Sequence, residues 1–102
     1  MIYVVATIDV VPGRREAFLQ EFQKLLPKMK AVEGCLDYNL TVDCPTKIGV
    51  QIPVRDNVVT VVEKWTGPAA LEAHLAGPAI AELLEKTKGL LAGLQIQVLQ
   101  PS

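Results

Sequence analysis

Cysteine and histidine are scarce in this sequence, which contains two cysteines and one histidine. Cys35 and Cys44 have neither the spacing of zinc ligands nor that of a redox pair. If both lie on one extended strand, their Cα atoms are roughly 30 Å apart, whereas a disulfide requires about 7 Å or less. The sequence therefore predicts two free thiols and no metal site.

Other signatures of known chemistry are also missing. The sequence has no glycine-rich phosphate loop, and a Ser–His–Asp triad has only His74 on which to build. The net charge is −1, and the nearest approach to a basic cluster is Arg14-Arg15. Nucleic-acid binding is not expected, because it depends on a Lys/Arg footprint that neutralises phosphates.

Long hydrophobic runs are absent as well. No apolar stretch approaches the ~18 residues that a membrane-spanning helix needs. Residues 1–10 are mostly apolar, but they lack a basic region and a small-residue cleavage site. We therefore expect neither a membrane span nor a signal peptide, and the free thiols favour a cytoplasmic protein.

The sequence does contain strong strand patterns. At 102 residues, half of them hydrophobic, it predicts a single globular domain. β-Branched residues dominate positions 57–66, which indicates a strand. Alternation places Val59, Val61, Glu63 and Trp65 on one face of that strand. Because its first half is apolar on both faces, we expect both faces to be covered.

Periodicity predicts three further strands and three helices. The strands cover residues 2–10, 35–43 and 94–100. A first helix covers residues 14–32, with Pro27 as an expected kink and Phe18, Phe22, Leu25 and Met29 facing inward. A second helix is capped by Thr66 and ends at Gly77-Pro78, and a third covers residues 78–88 with Ile80, Leu83, Leu84 and Thr87 inward.

Residues 44–57 allow two interpretations. Ile48 to Val54 either form a strand, which Pro53 would restrict to a sheet edge, or belong to an irregular loop.

The order strand–helix–strand–strand–helix–strand predicts an α+β fold of the ferredoxin-like, split βαβ type. Right-handed crossovers place all helices on one face of a single antiparallel sheet. The other face is then bare, and its apolar content exceeds what a monomer usually exposes. We therefore expect two subunits to pack sheet to sheet as a homodimer.

Three residues suggest a pocket between the sheet and the helices. Glu63 and Trp65 share a strand face, and His74, the single histidine, follows on the next helix. Each of these residues alone is commonly structural, but together they fit a small-ligand site that is apolar with a few polar groups. Tyr38 and Asn39 lie on opposite faces of the preceding strand, so only one of them can reach this pocket.

Four segments of the chain resemble the antibiotic biosynthesis monooxygenase family. They are Met1–Thr7 continuing to Val11-Pro12-Gly13, Glu33–Tyr38, Val62–Thr66 and Leu71–Leu75. The resemblance implies a dimeric α+β barrel. Family members include cofactor-independent quinol or polyketide oxygenases, haem-degrading enzymes, an isomerase of a signalling sugar phosphate and proteins of unknown role.

The sequence departs from some of these members. Haem degraders carry an asparagine near Ala6 and a haem-ligating histidine near Leu83 or Leu84, so haem degradation is disfavoured. Many relatives have a second histidine near Ala79, and residues 44–57 form a longer connection than usual.

The resemblance and the pocket together predict an oxygenase that acts on a small electron-rich phenol or hydroquinone with O2 and no cofactor. His74 is the expected base, Glu63 orients it or a substrate hydroxyl, and Asn39 polarises a carbonyl or oxyanion. The substrate-binding side chains are predicted to be Trp65, which stacks on the ring, Tyr38 and Phe22. Two alternatives stay open: an isomerase or tautomerase that uses the same pocket, and a non-catalytic ligand-binding or stress-response protein.

Overall fold

The computed structural model describes all of residues 1–102. Its strands are β1 (Ile2–Val10), β2 (Cys35–Thr41), β3 (Val58–Trp65) and β4 (Leu91–Leu99). Its helices are α1 (Arg15–Lys30), α2 (Pro68–Leu75) and α3 (Pro78–Lys86).

The four strands form one sheet in the order β2-β3-β1-β4, and every neighbouring pair is antiparallel. This order and the placement of the helices confirm the predicted α+β, ferredoxin-like fold. None of the helices is long and apolar enough to cross a membrane.

The core lies between the sheet and α1. Alternate residues of β1 are buried, as are four residues at helical spacing on α1. They are Ile2, Val4, Ala6, Ile8 and Val10 on β1, and Phe18, Phe22, Leu25 and Met29 on α1. Apart from Ala6, each of these side chains contributes about 1.5–3 kcal/mol when it is fully buried, so these two stripes supply much of the driving force for folding. Both stripes match the predicted faces.

Gly34 allows a close approach between the chain entering β2 and helix α2. Its φ of +86° lies in the left-handed region, which favours glycine. A Cβ atom at this position would lie 2.5 Å from Cβ of Ala70. The carbonyl of Gly34 also accepts a 2.9 Å hydrogen bond from the amide of Thr66, which ties the two segments together.

Two local predictions were wrong, and one irregularity in the sheet had not been predicted. Thr66 does not cap α2, because the N-cap position belongs to Gly67 and no side chain caps the helix. The pairing of β2 with β3 shifts register between Cys35 and Asp37, and Leu36 is consequently exposed. Leu84 was expected inward but is 47% exposed.

Residues 42–57, which we call the arm, connect β2 to β3 without forming a strand. Asp43 and Arg55 clamp the base of the arm: the Arg55 side chain donates bonds of 2.8 and 2.9 Å to the Asp43 carboxylate, and the Arg55 amide adds a third of 2.9 Å. These bonds lower the pKa of Asp43 to about 2. The irregular-loop interpretation therefore holds for this chain on its own.

The sheet face opposite the helices is mixed in character. Tyr3, Val62 and Leu99 are 39%, 40% and 43% exposed on it. Polar residues such as Asn39 and Gln97 stand between them, so the face is less apolar than the strand patterns implied. The sheet-to-sheet dimer stays a prediction.

Candidate active site

A cavity of about 90 Å³ lies between the helix-side face of the sheet and helices α2 and α3. Fifteen residues line it, and 13 of them are hydrophobic. The two exceptions are Glu63 from β3 and His74 from α2. Tyr38 and Phe22 also contribute to the wall, so four of the six predicted site residues meet at this cavity.

Glu63 is held in place by Trp65. Because they are two residues apart on β3, both side chains point to the helix side. The indole N–H of Trp65 donates a 2.8 Å hydrogen bond to Oε1 of Glu63. Trp65 is completely buried and does not line the cavity. Trp65 therefore lies behind Glu63 and presents no surface to the cavity on which a substrate could stack as predicted.

His74 is buried and lacks any hydrogen-bond partner. Only 3% of the residue is exposed, and neither Nδ1 nor Nε2 makes a hydrogen bond within the chain. Its ring lies between those of Trp65 and Tyr38, at centroid distances of 4.8 and 6.0 Å. No hydrogen bond joins Glu63 to His74, so the predicted orientation of the imidazole by Glu63 is not seen.

Burial shifts the pKa values of the polar groups in the cavity. It raises the pKa of Glu63, and the hydrogen bond from Trp65 offsets part of this rise. Burial also lowers the pKa of His74 below its usual 6.5. The pKa of Tyr38 is raised, first by burial and then by the charge of Glu63. At neutral pH the site therefore presents an uncharged imidazole and a protonated phenol.

Asn39 does not reach the cavity. Its side chain is on the opposite face of the sheet, where Nδ2 donates a 3.4 Å hydrogen bond to the carbonyl of Val62. Tyr38 takes the inward position instead, and its ring lies 6.2 Å from that of Phe22. The catalytic role predicted for Asn39 is therefore incompatible with its place in the fold.

The mouth of the cavity was not predicted from the sequence. It is apolar, and four of its side chains are between 40% and 56% exposed: Leu75, Leu84, Leu94 and Ile96. The alternation of apolar residues on β4 could have indicated it, because no helix remained to cover the apolar face of that strand.

Neither cysteine is paired, and no group of three or more His, Cys, Asp or Glu side chains is close enough to hold a metal ion. The polar chemistry of the cavity is therefore that of Glu63, His74 and Tyr38.

Comparison with known proteins agrees with this architecture. The family profile described as antibiotic biosynthesis monooxygenase matches residues 1–86. The Escherichia coli (strain K12) protein named "Probable quinol monooxygenase YgiN" is 37% identical over 103 residues, covering 99% of this chain and 98% of its own length.

Solved structures show the same fold. The crystal structure of PA3566 from Pseudomonas aeruginosa superposes with a TM-score of 0.79 at 27% identity, covering 99% of this chain and 93% of that one. A crystal structure of an antibiotic biosynthesis monooxygenase also reaches 0.79, at 21% identity, covering 100% and 99% of the two chains. The chain belongs to the antibiotic biosynthesis monooxygenase family.

Proposed function

We propose that this protein is a monooxygenase that oxidises a small quinol with O2 inside the cavity, without a metal or flavin. The observation that carries this proposal is the buried imidazole of His74, whose two nitrogens have no partner in the chain. Leaving such groups unpaired costs about 1–3 kcal/mol each, which a ligand hydroxyl would recover. The name of the Escherichia coli relative, a probable quinol monooxygenase, points to the same substrate class.

His74 would act as the general base. A lowered pKa keeps its imidazole neutral at physiological pH, so one nitrogen is free to accept a proton from a quinol hydroxyl. The resulting anion is a stronger reductant than the neutral quinol. The apolar wall would keep water away from the reacting groups once a substrate fills the cavity, which would favour oxygenation within the site over release of reduced oxygen species.

The proposed reaction balances without a cofactor. The quinol anion transfers one electron to O2, and the two radicals combine to form a carbon–oxygen bond as a hydroperoxide. The proton held by His74 completes the hydroperoxide. The O–O bond then breaks while the ring carbon loses its hydrogen as a proton, and the departing hydroxide takes up that proton and leaves as water. A quinol and O2 thus give a hydroxyquinone and one water.

Glu63 would fix the orientation of the substrate. It is the second polar side chain of the wall, and Trp65 holds one of its oxygens at 2.8 Å. The carboxyl group can therefore bind the second hydroxyl of the quinol while His74 takes the first. Tyr38 and Phe22, whose rings lie 6.2 Å apart, would pack against the aromatic ring.

We also propose that the protein acts as a homodimer in the cytoplasm. The partly exposed Tyr3, Val62 and Leu99 on the outer sheet face support self-association, because pairing two copies would cover them. Both cysteines are free thiols, as expected in a reducing compartment.

Oxygen uptake tests the proposed reaction. Chelator-treated protein should accelerate the oxidation of 1,4-naphthoquinol, consume one O2 for each quinol and place one ¹⁸O atom from ¹⁸O2 in the product. Spontaneous oxidation instead yields hydrogen peroxide, which catalase reveals, so it serves as the background. Turnover that continues without oxygen would indicate an isomerase, and binding without any turnover would indicate a ligand-binding protein. Either result would contradict the proposal.

A further inference from the structure

The arm carries four exposed apolar side chains at alternate positions. Ile48, Val50, Ile52 and Val54 are 62%, 94%, 60% and 41% exposed. Glycine, glutamine and proline stand between them. Single exposed apolar residues are ordinary, but four at a period of two have the pattern of a strand with one buried face. Within its own chain, no surface covers the apolar side of this segment.

The backbone of the same segment is also largely unpaired. The amides of Val50, Ile52 and Val54 donate no hydrogen bond within the chain. The one backbone bond inside the segment runs from the amide of Gln51 to the carbonyl of Ile48, at 3.2 Å. Free amides beside an apolar stripe are what an added strand brings to a sheet edge.

The edge of β4 offers a complementary surface. β4 pairs with β1 alone, so its other edge is open. Leu94, Ile96 and Val98 are 56%, 40% and 42% exposed. Leu94 and Ile96 pair with Ile8 and Ala6 of β1 and belong to the cavity wall. A long apolar edge strand left uncovered promotes association with another chain.

The arm cannot easily reach the β4 edge of its own chain. It joins β2 to β3, and β2 is the sheet edge opposite β4. The Asp43–Arg55 bonds clamp its base, and the carbonyl of Asn57 is fixed at 2.8 Å from the amide of Val10, at the end of β1. A second copy of the chain is therefore the occupant that the geometry favours.

We infer that residues 48–54 of one subunit add as an edge strand to β4 of a second copy. Their apolar side chains then cover Leu94 and Ile96 and close the mouth of the cavity. Pro53 fits this arrangement, because an edge strand can direct a residue that lacks an N–H group outward. In a two-fold dimer the exchange occurs twice, so each active site is completed by the partner. This inference does not depend on which substrate is oxidised.

Disulfide trapping tests the contact directly. In a background with Cys35 and Cys44 changed to serine, a Val50→Cys chain is mixed with chains of different mass that carry Leu94→Cys, Ile96→Cys or Val98→Cys. We expect an inter-subunit disulfide with at least one of the three. Gln51→Cys is the matched control. Its yield of inter-subunit disulfide should be at least about tenfold lower, because adjacent strand residues face opposite sides. Equal yields from both positions, or no cross-link, would overturn the inference.

Self-association provides a second readout. Val50 is 94% exposed, so Val50→Asp should leave the fold intact. Sedimentation equilibrium should show dimerisation weakened by at least about tenfold, since each of two arms would place a charge where an apolar side chain is buried. The matched control, Gln51→Asp, should change the affinity of dimerisation far less. An unchanged dimer in Val50→Asp, or a monomeric wild type, would contradict the inference while leaving the oxygen-uptake test of the reaction unaffected.

Discussion

The imidazole of His74 lies against the indole of Trp65, with ring centroids 4.8 Å apart and planes inclined by 32°. The indole directs its single N–H group to Glu63 at 2.8 Å, so it offers His74 packing but no hydrogen bond. One buried aromatic residue thereby positions a carboxyl group and an imidazole while leaving both imidazole nitrogens free for a ligand.

Replacing His74 with phenylalanine should separate stability from activity. The ring contacts would persist, but two buried nitrogens without partners would be removed, so the free energy of unfolding should rise by about 1–3 kcal/mol. Loss of the base should lower the oxygenation rate by about 10²–10⁴-fold. Urea unfolding and oxygen uptake measure the two effects. His74→Gln is the control: it should be inactive without the gain in stability. A less stable His74→Phe protein would mean that His74 is structural.

Replacing Trp65 with phenylalanine should raise the pKa of Glu63. The indole hydrogen bond now favours the charged carboxylate, and its loss leaves burial unopposed. Carbon NMR of the Glu63 carboxyl group measures this pKa. Stability should fall by about 1–3 kcal/mol, the cost of leaving a buried hydrogen-bonding group without its partner. An unchanged pKa would show that Trp65 does not control Glu63.

Glu63 should make stability depend on pH. Its pKa in the folded state is raised above the usual 4.5, so the folded protein keeps this proton after the unfolded chain has lost it. Stability contributed by the protonated group is full below pH 4.5 and is lost as pH rises through the folded pKa. Urea unfolding at pH 4 and pH 7 should show this loss in the wild type. Glu63→Gln should remove it, and an identical loss in the variant would refute the assignment.

Alanine at Gly34 should destabilise the fold. The positive φ costs an L-residue about 1–2 kcal/mol, and the new Cβ would also press on Ala70. Adding Ala70→Gly should restore only the stability that is lost through the steric contact with Ala70. Gly49→Ala is the control, since nothing lies within 4 Å of that position. Equal midpoints of thermal unfolding for Gly34→Ala and Gly49→Ala would contradict the expected strain.

The layers of the fold were predictable because periodicity depends only on chain geometry. The buried faces of β1 and α1 could be read directly, and Phe22 was placed correctly in this way. Alternation also showed that the side chains of Tyr38 and Asn39 must point to opposite faces of the sheet. Which of them points inward depends on how β2 pairs with β3, and that pairing includes a register shift that no local pattern encodes.

The roles within the site were harder to predict than its location. Glu63 and Trp65 share a strand face, but only packing in three dimensions decides that Glu63 reaches the cavity while Trp65 stays behind it. Packing in three dimensions also decides that no hydrogen bond forms between Glu63 and His74. The arm shows a different limit of prediction. Its strand pattern has no pairing partner in its own chain, so the segment folds as a loop unless another chain supplies that partner.

The pH dependence of turnover tests the central claim most directly. His74 is the only histidine, so proton NMR of the wild type gives its pKa without ambiguity. On the acid side, kcat/KM for naphthoquinol oxidation should fall with a midpoint that matches this pKa, which should lie below 6.5. If the rate is independent of pH through that midpoint, or if His74→Phe turns over quinol as fast as the wild type, His74 is not the base.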